Sequence, residues 1–228
     1  MEPQKPVVKS SIEYSVRLVR GPDLAPSEIE ALVALHQAAF PGFFLTSLGP
    51  RFLRALYRGF LESEKGVCAV AQAGQRLLGF AMGTAKPDSF FRVLLRKKGM
   101  SFAWAALPGL LQNPVFVVRK SLSALFYRGE RPKVMPGAGL LSSLAVSPHV
   151  AGKGIGQQLV SAFCEELARR GADAVYLITD ASDNDSVNRF YAKCGFRLVD
   201  TFERPGKRLM NRWAKTLQQP SERPEGVL

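Results

Sequence analysis

The sequence predicts an α/β protein built on a mixed sheet, mostly antiparallel with one parallel strand pair, flanked by helices. Three observations predict it. Residues 139–179 read as strand, glycine-rich turn, helix and strand, a unit that lays its two strands parallel. Two pairs of strand-like runs, within 67–84 and 198–215, are joined by short turns at Gly74 and at Arg204, Pro205 and Gly206, and so read as antiparallel hairpins. The chain has 228 residues, 46% of them hydrophobic, enough to bury one full core. One domain is therefore expected over 1–217, with a basic, apolar, mostly helical insertion at about 86–136. The polar, proline-rich residues 218–228 are expected to be disordered.

The elements follow in order. Ile12 to Arg20 alternates and reads as a first strand. Ser27 followed by Glu30 reads as a capping box for a helix to about Ala39, with Ile29, Leu32, Val33 and Leu35 inward. Phe40, Pro41, Gly42, Phe43 and Phe44 make an aromatic loop. Pro50 opens a second helix over 51–61, with Phe52, Leu53, Leu56, Tyr57 and Phe60 on its apolar side. Val67 to Ala71 and Leu77 to Thr84 are the strands of the first hairpin.

The insertion comes next. It carries ten cations (Lys86, Arg92, Arg96, Lys97, Lys98, Arg119, Lys120, Arg128, Arg131, Lys133) against Asp88 and Glu130, so it holds +8 of the chain's net +12. Residues 99–118 are uncharged and long enough to span a bilayer. Pro108, Gly109, Gln112, Asn113 and Pro114 interrupt them, and one crossing would put the two halves of a single sheet on opposite sides of the membrane. Two or three short helices are expected instead, anchored by residues such as Phe90, Phe91, Leu94, Leu95, Phe102, Trp104 and Leu107. They would pack over the acceptor side, form a homodimer contact, or lie on an anionic membrane surface as a basic amphipathic element.

Gly139 to Val146 is the next strand, ended by Pro148. Then Gly152, Gly154 and Gly156 alternate with Ala151, Lys153 and Ile155. A helix follows, with Ile155, Leu159, Phe163 and Leu167 on one face, and Arg169, Arg170 and Gly171 close it. The first turn of a helix has N–H groups without an intrahelical acceptor, and glycines let a phosphate approach them. The loop is therefore built for a phosphate or pyrophosphate; tight packing alone is the alternative reading. It is not a Walker loop, because Gly154 follows Lys153 where Ser or Thr is needed. Its G-x-G-x-G pattern also misses the Rossmann spacing. Ala174 to Thr179 is a continuous apolar strand, and residues 184–196, NDSVNRFYAKCGF, form a helix capped by Asp183 or Asn184 and ended by Gly195. Val187, Phe190, Tyr191 and Cys194 make its expected buried side.

These two segments together resemble the GNAT (GCN5-related) acyl-CoA N-acyltransferase superfamily, closely over about 139–203 and in element order over about 12–214. Gly154 and Gly156 match the family's Arg/Gln-x-x-Gly-x-Gly/Ala motif, with Ala151 where Arg or Gln usually stands. Asn184, Phe190, Tyr191, Gly195 and Phe196 match the second motif, with Val187 at its Ala position. The resemblance implies a GNAT-like sheet and an acyl-CoA co-substrate, most simply acetyl-CoA. It places the CoA pyrophosphate on Ala151, Gly152, Lys153, Gly154, Ile155 and Gly156, and the CoA arm against Asn184. It also implies a distorted central strand whose Leu144, Ala145 and Val146 offer backbone groups to the pantetheine and carbonyl. Tyr191 is then the general acid for the leaving thiolate; a packed core tyrosine is the other reading.

The general base is the gap. Many relatives carry a carboxylate where this chain has Ser142 and Ser143. Ser143 could order a water, His36 on the first helix titrates in the right range, and Asp180 ends the second parallel strand. His149 lies beside the loop and is not expected to move a proton. The acceptor is expected to be a small-molecule amine. An amino sugar suits the stretch FPGFFLTSLGPRFL, which is similar to GNAT proteins associated with bacterial surface-polysaccharide synthesis. The competing class is a catalytically inactive CoA-binding or scaffold protein, favoured by Ala151 and the missing carboxylate. Nucleic-acid binding through the basic insertion is the third class and the least favoured.

Cys68, Cys164 and Cys194 lie far apart, which suggests a reducing compartment without a disulfide framework, and two histidines leave no histidine-rich metal site. MEPQKPVVKSS lacks the apolar core of a signal peptide. A cytoplasmic protein is expected, peripheral to the membrane if the insertion binds lipid.

Overall fold

Among the described residues, seven strands form one sheet in the order β1-β2-β3-β4-β5-β7-β6. The computed structural model describes residues 13–20, 23–112, 135–204 and 207–218. The strands are β1 (Ser15–Val19), β2 (Gly66–Ala73), β3 (Arg76–Thr84), β4 (Gly139–Val146), β5 (Ala174–Asp180), β6 (Arg197–Arg204) and β7 (Arg208–Thr216). All neighbours pair antiparallel except β4 and β5, which run parallel. The predicted mixed sheet is thus observed, with the strand–helix–strand unit supplying its parallel pair.

Alternation along the strands divides the core in two. Val67, Ala69 and Ala71 of β2 face helix α5 (Ile155–Arg169), in the layer that also holds helix α6 (Asp185–Lys193). Cys68 and Val70 face the other layer, made of α1 (Pro26–Ala39), α3 (Pro50–Leu61) and α4 (Pro87–Gln112). A single-turn helix, α2 (Phe44–Ser47), joins α1 to α3. In α5 the face read from the sequence is the buried one: Ile155, Leu159, Phe163 and Leu167 are essentially inaccessible.

Three expectations need correction. The capping box is not Ser27–Glu30. Pro26 occupies the first helical position, so Ala25 is the cap; Glu28 accepts from the Ala25 N–H at 2.9 Å, and Glu30 instead pairs with Arg54 of α3. The insertion begins with one helix of 26 residues rather than short pieces, and Pro108 lies inside it. The carbonyl that proline leaves unpaired belongs to Trp104, whose residue is 70% exposed, so water can satisfy it. In α6 only Tyr191 is buried; Val187 is exposed, and Phe190 and Cys194 are half-buried. Residues 113–134, Pro205 and Gly206 lie outside the described residues, and with them the rest of the insertion and the tip of the second hairpin.

Candidate active site

The sheet opens at its centre. β4 and β5 pair only at Gly139↔Val175 and Leu140↔Tyr176, and beyond Leu140 they diverge. A bulge in β4 lies just past that point. Met82 faces Ser143 and Gly83 faces Leu141, so Ser142 is an extra residue without a partner on β3. Gly83 makes the bulge possible, because a Cβ there would sit 1.9 Å from the Leu140 carbonyl oxygen and 2.7 Å from Phe163.

Hydrogen-bond parity decides which backbone groups face the opening. Ser147 N–H donates to Leu78 O at 2.7 Å. Alternation then turns Ser143 and Ala145 toward β3, and the N–H and C=O of Leu144 and Val146 toward the gap. Of the three residues expected to offer backbone groups, Leu144 and Val146 are so oriented. Ala145 instead contributes its methyl group to the α1–α3 layer.

The glycine loop closes one end of the gap. A 3-10 turn, Pro148–Val150, leads into it. Gly152 and Gly154 have φ of 77° and 79°, in the left-handed region, with open space where a Cβ would stand on Gly152. Gly156 has a different task. A Cβ on it would meet Phe190 at 3.2 Å and Val146 at 3.6 Å, so its absence lets α5 seat against both β4 and α6. Ile155 is buried, whereas Ala151 and Lys153 are exposed beside the loop. The first backbone donor of this helix to find an acceptor within it is Gln158 N–H, on Gly154 O at 3.1 Å. The earlier N–H groups of the turn remain available to an anion. These features fit a pyrophosphate: a glycine cradle and helix N–H donors, beside a strand edge that can take an extended chain.

At the other lip, β5 ends in a polar cluster. Trp213 Nε1–H donates to Thr179 Oγ1 at 3.0 Å, and Thr179 donates to Asn188 Oδ1 at 2.7 Å. The amides of Asn184 and Asn188 both donate to Asp180 O, at 3.3 and 3.2 Å. Asn184 holds the cap position of α6 without a side-chain capping bond. Both carboxylate oxygens of Asp180 are engaged by Arg208 of β7. Tyr191 is 8% exposed, its ring edge-on to Phe190 and Phe196 at 5.1 and 5.7 Å. Burial raises its pKa, so the phenol stays protonated.

On the opposite face of the sheet, two of the base candidates lie beside a residue read only as apolar. Tyr57, 1% exposed, bonds His36 Nδ1 at 2.5 Å, and Ser143 lies beside its hydroxyl. His36 is 3% exposed, and its Nε2 has no partner among the described residues. Desolvation lowers the His36 pKa to about 4, so the imidazole is neutral. His149 is exposed on the 3-10 turn. A cavity of about 720 Å³ lined by Val19, Leu61, Gly66, Cys68 and Arg170 lies at the far end of α5 from the loop. The Arg170 guanidinium donates to Glu64 O and Gly66 O, at 2.7 and 2.8 Å, and Arg20 also lines the cavity.

The sheet is thus split at its one parallel pair, with a glycine-cradled helix N-terminus at the split. The chain belongs to the GNAT acetyltransferase family, whose model matches residues 29–196. Among curated proteins, none matches the chain. Solved structures share the fold at low identity. The ribosomal-protein-S18-alanine N-acetyltransferase from Escherichia coli is 14% identical with a TM-score of 0.54, over 92% of this chain and 97% of its own. An aminoglycoside 6'-acetyltransferase type Ii is 17% identical with a TM-score of 0.57, over 90% and 99%. A Bacillus subtilis acetyltransferase solved in complex with CoA is 18% identical with a TM-score of 0.51, over 90% and 100%.

Proposed function

We propose that the protein transfers an acetyl group from acetyl-CoA to a primary amine on a small-molecule acceptor, such as an amino sugar. The observation that carries this reading is the divergence of β4 from β5 directly beside the glycine loop. When bound, acyl-CoA supplies an activated thioester. The chain's own groups do the rest. The N–H groups around Gly152–Gly156 hold the pyrophosphate, with Asn184 at the facing lip. Leu144 and Val146 present backbone groups to the extended arm, and a donor there stabilises negative charge on a reacting carbonyl oxygen. Tyr191, kept protonated by burial, donates to the leaving sulfur.

Proton removal from the amine falls to a neutral chain instead of a carboxylate. A water ordered by Ser143 Oγ begins that chain and carries the proton from the amine to solvent; His36, with Nδ1 bonded to Tyr57, is neutral but too weak a base to keep it. Asp180 is a poorer candidate, since Arg208 holds both of its oxygens. The aromatic side chains of Phe40 and Phe43, 5.3 Å apart, and Arg208 against Phe43 stand as the acceptor-side wall.

The second reading is a CoA-binding protein that performs no transfer, favoured by Ala151 and by serine where a carboxylate would serve as base. The two separate in one experiment. Acetyl-CoA is incubated with a panel of amino sugars and other primary amines, and free thiol release is followed alongside calorimetric CoA binding. Turnover with at least one amine is expected. Tight CoA binding with no turnover on any amine would establish the second reading instead.

A further inference from the structure

Helix α4 has two apolar faces, and only one of them is covered. Phe90, Leu94 and Phe102 pack inward with α3, each under a tenth exposed. Val93, Met100, Trp104 and Leu107 stand on a side turned about 120° from that face, at 42, 79, 70 and 39% exposure. At the helical repeat these four fall within a strip about 60° wide. Arg92 and Arg96 run along one border and Lys97 along the other, all exposed. Lys98 sits on the inner flank, paired with Glu62. The helix holds a single acidic residue, Asp88, in its first turn.

We propose that this face of α4 docks on an anionic membrane surface. The stripe would enter the boundary between headgroups and acyl chains, and Arg92, Arg96 and Lys97 would meet lipid phosphates. Charge complementarity selects this occupant. A second copy packed on the same face would bring two sets of these cations together. Residues 113–134 carry five cations against Glu130, so they too are like-charged. A nucleic acid would match the cations and leave the apolar strip in water. An anionic bilayer surface covers both, and an exposed tryptophan within such a strip suits the wet edge of the acyl region. Among the described residues no helix is long and apolar enough to cross a membrane, so the contact is one of surface and not of span. The inference does not depend on the catalytic reading.

The test is flotation of the full chain with vesicles of phosphatidylcholine alone and with added phosphatidylglycerol, at low and high salt. Flotation only with the anionic vesicles, weakened by salt, is expected. Arg92→Gln with Arg96→Gln should weaken it about 30-fold, and Met100→Glu with Trp104→Glu should abolish it. Circular dichroism and thermal melts confirm that each variant is folded, since all four positions are solvent-facing. Absence of flotation, equal flotation on neutral vesicles, or unchanged flotation of the folded Met100→Glu, Trp104→Glu variant would overturn the proposal. So would a concentration-dependent dimer that the same variant abolishes.

Discussion

His36 and Tyr191 are both buried aromatic groups with shifted pKa values, and their burial has opposite uses. A buried imidazole is pushed toward its neutral form, and a buried phenol toward its protonated form. For His36 the sign of the linkage is fixed. Its folded pKa of about 4 lies below the unfolded value of 6.5, so the unfolded chain binds the extra proton between them. The stability that neutral His36 contributes is present above 6.5 and lost as pH falls toward 4. At 3% exposure solvent screening is small, and about 2 kcal/mol should disappear between about pH 7.5 and pH 5. Urea unfolding at the two pH values measures it. His36→Gln should flatten that slope, and an equally steep slope in the variant would assign it to other groups. Tyr191→Phe asks about chemistry instead. Phenylalanine keeps the ring between Phe190 and Phe196, so stability should hardly change. Turnover should drop about tenfold to a thousandfold, as for loss of a general acid. Unaltered turnover would leave Tyr191 as a packing residue between Phe190 and Phe196.

At the scale of elements, the glycine loop was legible because its information is local. Three alternating glycines between a proline-stopped strand and an amphipathic helix specify a helix N-terminus open to an anion, whatever the rest of the chain does. The structure divides their labour: left-handed backbone at Gly152 and Gly154, close packing at Gly156. Gly154→Asp is therefore a severe change. It forces a side chain into φ of 79° and adds a negative charge where the pyrophosphate is proposed to sit. CoA affinity measured by calorimetry should fall at least about a hundredfold in a variant that still melts cooperatively; affinity within about twofold of wild type would move the cofactor elsewhere. A distorted central strand was implied by the resemblance alone; the bulge at Ser142 was not legible in the residues themselves, because it arises from how β3 and β4 register around Gly83. Tyr57 was missed for a related reason. Its bonded partner, His36, lies on α1, 21 positions away in sequence, and from α3 alone it reads as one more apolar residue on a buried face. The extent of α4 was not legible because Pro108 and Gly109 are strong breakers on paper, whereas the one carbonyl affected belongs to Trp104, an exposed residue that water can reach.

The whole molecule is two sheet halves, β1–β4 and β5–β7–β6, joined by two parallel ladder pairs. α5 latches them from one side, since its buried face touches residues of β2, β3, β4 and β5. Beyond Leu140 nothing in the backbone ladder holds the halves together, and the groups of Leu144 and Val146 that would have paired with β5 are turned into the gap. An extended arm lying along β4, with its phosphates on α5, would supply the missing strand contacts and tie latch to sheet. CoA should therefore stabilise the protein as a unit and not only order a loop. At about a hundred times its dissociation constant the gain is about 2.7 kcal/mol, which for a chain of this size raises the melting temperature by about 5–10 °C. Pantetheine without its phosphates should give far less, because the helix N-terminus then has no anion to hold. Hydrogen exchange provides the local check: with CoA, the amides of Leu144 and Val146 should slow along with those of the Gly152–Gly156 loop. A CoA-dependent shift confined to the loop, with Leu144 and Val146 exchanging as fast as before, would mean that the arm does not run along β4.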